Sequence, residues 1–227
     1  ASFIANTLQY SITYTGLNYI EASSAVLLVQ MEVPFGVIFA YFMLKEKPTL
    51  RALIGITIAF IGVYILTGSP NLDGKFFGIA LTILGSAIWA LGQVVVKPLS
   101  KEINPLALVA WLALFSGPIL ISLSAIIDGN TINYLTKASF DHWLIAIYIG
   151  FFMQPITYGC FYYVLKNNPL YKVLPIVTMG IPPTGLLAAI FLLGEKPTAE
   201  LFIGGAIIIF GVIMIVFTKS KNEEVKK

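Results

Sequence analysis

Runs of about twenty residues with almost no charge, parted by Pro, Gly, Asn and lysine-bearing connections, restrict the fold of this chain more than any other feature. The hydrocarbon core of a bilayer is ~30 Å thick, the length of an α-helix of ~20 residues. The pattern predicts spans at Phe3–Leu17, Ala22–Leu44, Leu50–Leu66, Phe76–Val96, Leu106–Ile127, Trp143–Leu165, Tyr171–Leu193 and Leu201–Phe217. In lipid every backbone N–H and C=O must bond within its own segment or a closed barrel, and these runs do not alternate as barrel strands do. The expected class is therefore an all-α integral membrane bundle with eight visible transmembrane helices. Only 11% of the residues are charged, against about 25% in a soluble domain. That leaves too little polar surface for a water-exposed body and excludes a soluble enzyme, a nucleic-acid binder and a disordered tail. The formal charge of +3 does not change this, because the basic residues are thinly spread and sit at helix ends.

An internal repeat adds a second constraint. At an offset of 149 residues and without a gap, Pro34, Gly36, Phe42, Leu44, Glu46, Lys47, Pro48, Thr49, Gly55, Gly62 and Val63 fall on Pro183, Gly185, Phe191, Leu193, Glu195, Lys196, Pro197, Thr198, Gly204, Gly211 and Val212. The shared string Leu-x-Glu-Lys-Pro-Thr between helices is hard to obtain by chance. The first three helices then match the last three, and the segment between them has no upstream partner. The expectation is a five-plus-five protein of ten helices. Residues 1–67 would be the end of the first repeat, with two helices missing ahead of it, and residues 75–218 a complete second repeat. Residues 219–227 would form a basic cytoplasmic tail.

Charge placement supplies an orientation, since cytoplasmic loops are rich in Lys and Arg. Lys45, Lys47 and Arg51, Lys97 and Lys101, Lys166 and Lys172, and the tail lysines share one side; the other carries Glu21, Asp73, Asp128, Asp141, Glu195 and Glu200 with few lysines. The basic loop Lys45–Arg51 and its repeat partner Gly194–Glu200 fall on opposite sides. An odd number of spans per repeat does this, so the topology is expected to be inverted, which suits alternating access.

An ionisable side chain at the bilayer midplane is costly and by default marks a pathway. Glu32, two residues after Gln30 and two before Pro34, is the one acidic residue so placed. It is expected to bind a substrate amine or a coupling proton. Asn6, Gln9 and Thr13 are spaced to share one face of the first helix, with Tyr10 and Tyr14 beside them; Gln154, Tyr158 and Tyr162 share a face of the sixth. Pro34 and Pro183 free backbone carbonyls near mid-span and suggest a hinge or unwound turn. Cys160, in an apolar run, is expected to pack as a small buried hydrophobe. His142 has no metal-type spacing around it, and neither a phosphate loop nor a catalytic triad is visible. No cofactor and no metal are expected. The rivals to a transporter are a scaffold or receptor whose polar faces only pair helices, and a membrane-embedded transferase.

Five stretches stand out together: Ala22–Glu46 with Ser24, Val26, Leu27 and Gln30; Trp89 to Gly92 followed by Lys97; Trp111 through Asp128 and Gly129; Tyr158-Gly159; and Pro182 through Glu195. With these the chain resembles the drug/metabolite transporter superfamily in its amino-acid metabolite exporter (EamA-type) branch, close in kind to O-acetylserine/cysteine exporters. The order and spacing of the stretches carry the likeness. The resemblance implies a ten-helix inverted repeat in the inner membrane that exports small metabolites through a cavity lined by visible helices one, two, four, six and seven. On that basis the expected substrate contacts are Gln9, Tyr14, Gln30, Glu32, Trp89, Gln93, Gln154, Tyr158 and Tyr163. Similar exporters carry glutamine where this chain has Glu32, and a shorter amide where it has Gln93. The partners implied are a small-molecule substrate, the lipid bilayer and, through Glu32, a coupling proton.

Overall fold

The computed structural model describes residues 1–69, 72–127, 129, 131–178 and 180–216; the expected basic tail at 219–227 lies outside them. The described residues form helices and no strand. A π-helical turn, Phe3–Leu8, opens into α1 (Gln9–Leu17). There follow α2 (Ala22–Val29), α3 (Glu32–Leu44), α4 (Leu50–Thr67), α5 (Phe76–Glu102), α6 (Pro105–Ile127), α7 (Thr131–Lys137) and α8 (Phe140–Tyr148). A second π-helical turn, Ile149–Met153, leads into α9 (Gln154–Asn167), and the chain ends in α10 (Leu170–Thr178), α11 (Ile181–Leu193) and α12 (Ala199–Val216). By length and composition five stretches can cross a bilayer: Ala22–Leu44, Leu50–Thr67, Phe76–Glu102, Pro105–Ile126 and Phe140–Asn167. Ile181–Leu193 and Ala199–Ile215 are apolar but shorter. Large apolar side chains such as Tyr64, Phe76, Phe151, Phe191 and Leu192 point outward, an arrangement suited to lipid and not to water.

Each expected span falls on helix, although only the second to sixth of the eight are long enough to cross a bilayer; apart from the break described below, three further differences stand out. The fourth runs on to Glu102, carrying Pro98 in its last turns. Short α7 appears in a stretch of mixed polarity that gave no apolar signal. Cys160 is exposed rather than packed, because an outward apolar face costs nothing where the solvent is lipid.

The second expected span is broken. Gln30 and Met31 form a turn in which the Val33 N–H donates to the Gln30 carbonyl at 3.1 Å, and α3 starts afresh at Glu32. Pro34, which has no N–H to donate, falls in the new first turn, where that N–H is not needed. Pro182 and Pro183 stand in the same way in the first turn of α11.

Local geometry recurs at the 149-residue offset. Lys45 and Gly194 both end their helices in the left-handed region, with φ of 56° and 69°. The next residues, Glu46 and Glu195, donate their N–H groups to the carbonyls of Ala40 and Ala189. Thr49 and Thr198 accept from the N–H groups of Ala52 and Leu201, at 3.4 Å in both cases. Lys45 is the only non-glycine with positive φ among the described residues. Helices α4 and α12 meet through the matched glycines. A Cβ on Gly55 would lie 2.5 Å from the Gly211 carbonyl oxygen, and one on Gly211 would lie 2.6 Å from that of Gly55. Bare backbones thus touch, the usual way helices associate in a membrane. Helices α2 and α3 pack respectively against α11 and α10, and α5 runs beside α1 and α3. One apolar cluster, including Val94, Leu108, Phe161, Leu165, Leu170 and Leu174, joins α5, α6, α9 and α10. A second, including Leu27, Met31, Leu66, Ile79 and Ile208, joins α2, α4, α5 and α12.

Candidate functional site

Polar side chains at membrane depth collect on α1, the α2–α3 break, α5 and α9. Gln9 is buried, and its Nε2 donates to Thr13 Oγ1 at 3.1 Å. Asn6 instead reaches across to α6, donating from Nδ2 to Ser116 Oγ at 3.3 Å. The two do not act as one face, because the π-helical turn widens the spacing that would align them in an α-helix.

An aromatic network joins three helices. Gln154 Nε2 donates to the Tyr10 hydroxyl at 3.1 Å. Trp89 Nε1 approaches the Tyr158 hydroxyl at 3.4 Å. Tyr158 packs on Tyr162 with ring centroids 6.0 Å apart, and Gln93 lies beside Tyr162. Four expected contacts, Trp89, Gln93, Gln154 and Tyr158, are thereby brought together. Tyr14 stacks on Tyr10 but is exposed, and Tyr163 lies on the outer surface of α9.

Gln30 and Glu32 flank the break. Gln30 is 1% exposed and Glu32 4%. Glu32 is the first residue of α3, where the positive end of the helix dipole favours a carboxylate. Glu32 Oε1, Gln30 Oε1, Gln9 Oε1, Gln93 Oε1 and Ser24 Oγ are buried with no hydrogen-bond partner among the described residues. Buried polar oxygens are normally partnered, and four of these five are acceptors by chemistry. The arrangement suits a ligand that brings hydrogen-bond donors. No grouping of His, Cys, Asp and Glu able to hold a metal occurs among the described residues.

Three features escape motif reading. Tyr10 accepts from the Gln154 amide and stacks on Tyr14, a role that only its position beside the expected polar face could have hinted at. Lys97 pairs with Glu46, both largely buried. Glu195 accepts from the backbone N–H groups of Ala22 and Ser23, each at 2.9 Å. Partial burial pushes the Glu195 carboxyl up, but the bonds from Ser23 and Ala22, with the charge of Lys75, more than offset this and hold it below the usual carboxylate range. The repeated Glu-Lys-Pro-Thr string was the sequence signal for both glutamates.

The profile of the EamA-like transporter family matches residues 1–68 and 76–217. The chain belongs to this family. It is a multi-pass membrane transporter with a small-molecule substrate, in a family of transporters and efflux pumps rather than enzymes. A protein of Clostridium kluyveri described as an uncharacterized transporter is 26% identical over 232 residues, covering 100% of this chain and 72% of the relative. Proteins described as probable amino-acid metabolite efflux pumps are 27% identical in Escherichia coli, covering 96% of this chain and 75% of the relative, and 27% in Salmonella typhimurium, covering 92% and 72%. A solved crystal structure superposes with a TM-score of 0.64 at 16% identity, over 95% of this chain and 76% of that one, which speaks for the fold alone.

Proposed function

We propose that this EamA-like transporter exports an amino acid or related small metabolite by alternating access, with Glu32 binding the substrate ammonium or a coupling proton. The observation that carries the reading is the Glu32 carboxylate, buried beside the broken turn of the Ala22–Leu44 helix with one oxygen unpartnered. An ionisable group held at that depth is costly and by default marks a functional site. Gln9, Gln30, Gln93 and Gln154 supply oriented hydrogen bonds, while Trp89 and Tyr158 form an amphipathic wall. Tyr14 and Tyr163, the other two expected wall residues, are exposed and stand apart from this group.

The architecture is an inverted five-plus-five repeat, residues 1–67 ending the first and 75–218 making the second. Its support is the 149-residue offset, at which left-handed caps, threonine caps and first-turn prolines recur. The distribution of lysines favours a cytoplasmic C-terminus in the inner membrane. The names of the Escherichia coli and Salmonella relatives favour amino-acid metabolites.

The test is uptake of labelled neutral and basic amino acids into proteoliposomes, with and without a pH gradient, for wild type and Glu32→Gln. Gradient-driven flux lost in the variant supports coupling through Glu32. Gradient-independent flux retained in the variant removes Glu32 from the mechanism.

A further inference from the structure

The Leu-x-Glu-Lys-Pro-Thr string occurs twice, yet neither copy contributes to the buried polar site. Its two glutamates do corresponding work. Glu195 follows α11 and accepts from the first two N–H groups of α2, Oε1 from Ala22 and Oε2 from Ser23, both at 2.9 Å. Glu46 follows α3 and accepts with Oε1 from the N–H of Leu170, the first residue of α10, at 3.4 Å, and from the Lys97 ammonium. Leu170 and Ala22 differ by 148 residues against an offset of 149, so each glutamate caps nearly the same point of the other broken helix. The first-turn N–H groups have no partner within their own helix, which is why a carboxylate there binds well. The two contacts stand at opposite ends of the 23-residue stretch Ala22–Leu44, about 34 Å apart along a helix.

We propose that Glu46 and Glu195 are positioning residues that latch the two broken helices together at opposite membrane faces, and that each conformational half-cycle releases one latch while the other holds. Each latch joins the C-terminal half of one broken helix to the N-terminal half of the other. Opening one lets a single end of the crossing pair spread, with the break beside Glu32 as the pivot. The latches are unlike in strength. Glu195 takes two backbone hydrogen bonds at 2.9 Å, whereas Glu46 takes one longer backbone bond, is paired with a lysine, and leaves Oε2 buried without a partner among the described residues. The use of the latches rests on the transport reading, but their side-selectivity can be read without any substrate.

The test uses the full-length protein in nanodiscs with Cys160→Ser, and buried cysteine reporters placed by Ser24→Cys in α2 or Val173→Cys in α10; both native side chains are buried. The readout is the rate of labelling by a charged maleimide. Glu195→Gln is expected to speed labelling of the Ser24→Cys reporter about tenfold, the scale of one charge-assisted hydrogen bond, and to leave the Val173→Cys reporter unchanged. Glu46→Gln is expected to do the converse. Glu195→Asp, which keeps the charge but shortens the reach, should open the same single reporter by a smaller factor. Exposure of both reporters by every variant, or of neither, overturns the proposal. A disulfide between Ser23→Cys and Glu195→Cys should then stop amino-acid flux until it is reduced; flux through the cross-linked protein also overturns it. If wild type carries no tested amino acid, the transport reading fails while the labelling result still decides the latches.

Discussion

Gly211→Ala adds one methyl group where α12 meets α4. The new Cβ would stand 2.6 Å from the Gly55 carbonyl oxygen, 2.7 Å from the Ala59 nitrogen and 3.1 Å from its Cα. All three are backbone atoms, so no side chain can turn aside and the helices must part. Ordinary carbon contacts begin at about 3.5 Å, so the seam must widen by most of an ångström. Other matched glycines are equally close: a Cβ on Gly62 would lie 2.7 Å from the Ile208 nitrogen and one on Gly204 2.7 Å from the Leu66 nitrogen. Widening at Gly211 therefore loosens contacts along the whole seam. Overpacking of this kind costs about 1–3 kcal/mol, and each kcal/mol lowers Tm by about 2–4 °C in a chain of this length. The assay is tryptophan-fluorescence thermal unfolding in detergent micelles, with Gly117→Ala as the reference. Nothing lies within 4 Å of the Cβ that Gly117→Ala adds, so that change should be neutral or slightly stabilising, as glycine to alanine in a helix generally is. Gly211→Ala unfolding at the same temperature as Gly117→Ala would refute the argument that bare backbone contact holds α4 to α12.

Lys97→Met leaves Glu46 a largely buried carboxylate without its cation and should cost about 3–5 kcal/mol, read as lost thermal stability; adding Glu46→Gln should recover part of it. Glu195, whose carboxyl sits below the usual range in the folded chain, stabilises the fold above its unfolded pKa, and that contribution is lost as pH falls through the lower folded value. The Tm gap between wild type and Glu195→Gln should accordingly be present at neutral pH and close in acid below about pH 4. Thr49→Ala removes the cap of α4 and should cost about 0.5–2 kcal/mol, measured in the same melts. Tyr10→Phe removes the acceptor of the Gln154 amide and should weaken substrate affinity several-fold with little change in Tm.

Hydropathy made the spans legible because in lipid it acts directly on segment length. The 149-residue offset was legible because glycine, proline and the helix-end glutamates are residues whose backbone or charge duties leave few substitutes. The break at Gln30 and Met31 was less so. Pro34 hinted at a hinge, yet the break falls earlier, because a proline in the first turn of a new helix needs the turn to precede it. Cys160 was misjudged by treating an apolar neighbourhood as an interior, which holds in water and not in a bilayer. Of the candidate site, Glu32 and the glutamines could be read from polarity at depth. The partnership of Tyr10 with Gln154 could not, since it depends on how two helices far apart in the chain are set against each other.

Counterflow tests the central claim most directly. Proteoliposomes are loaded with unlabelled amino acid, diluted into a trace of the same amino acid carrying label, and followed for wild type and for Gln30→Ala combined with Glu32→Gln. Alternating access through the Gln30–Glu32 site predicts transient accumulation of label above equilibrium in wild type and none in the double variant. Equal accumulation in both would contradict it.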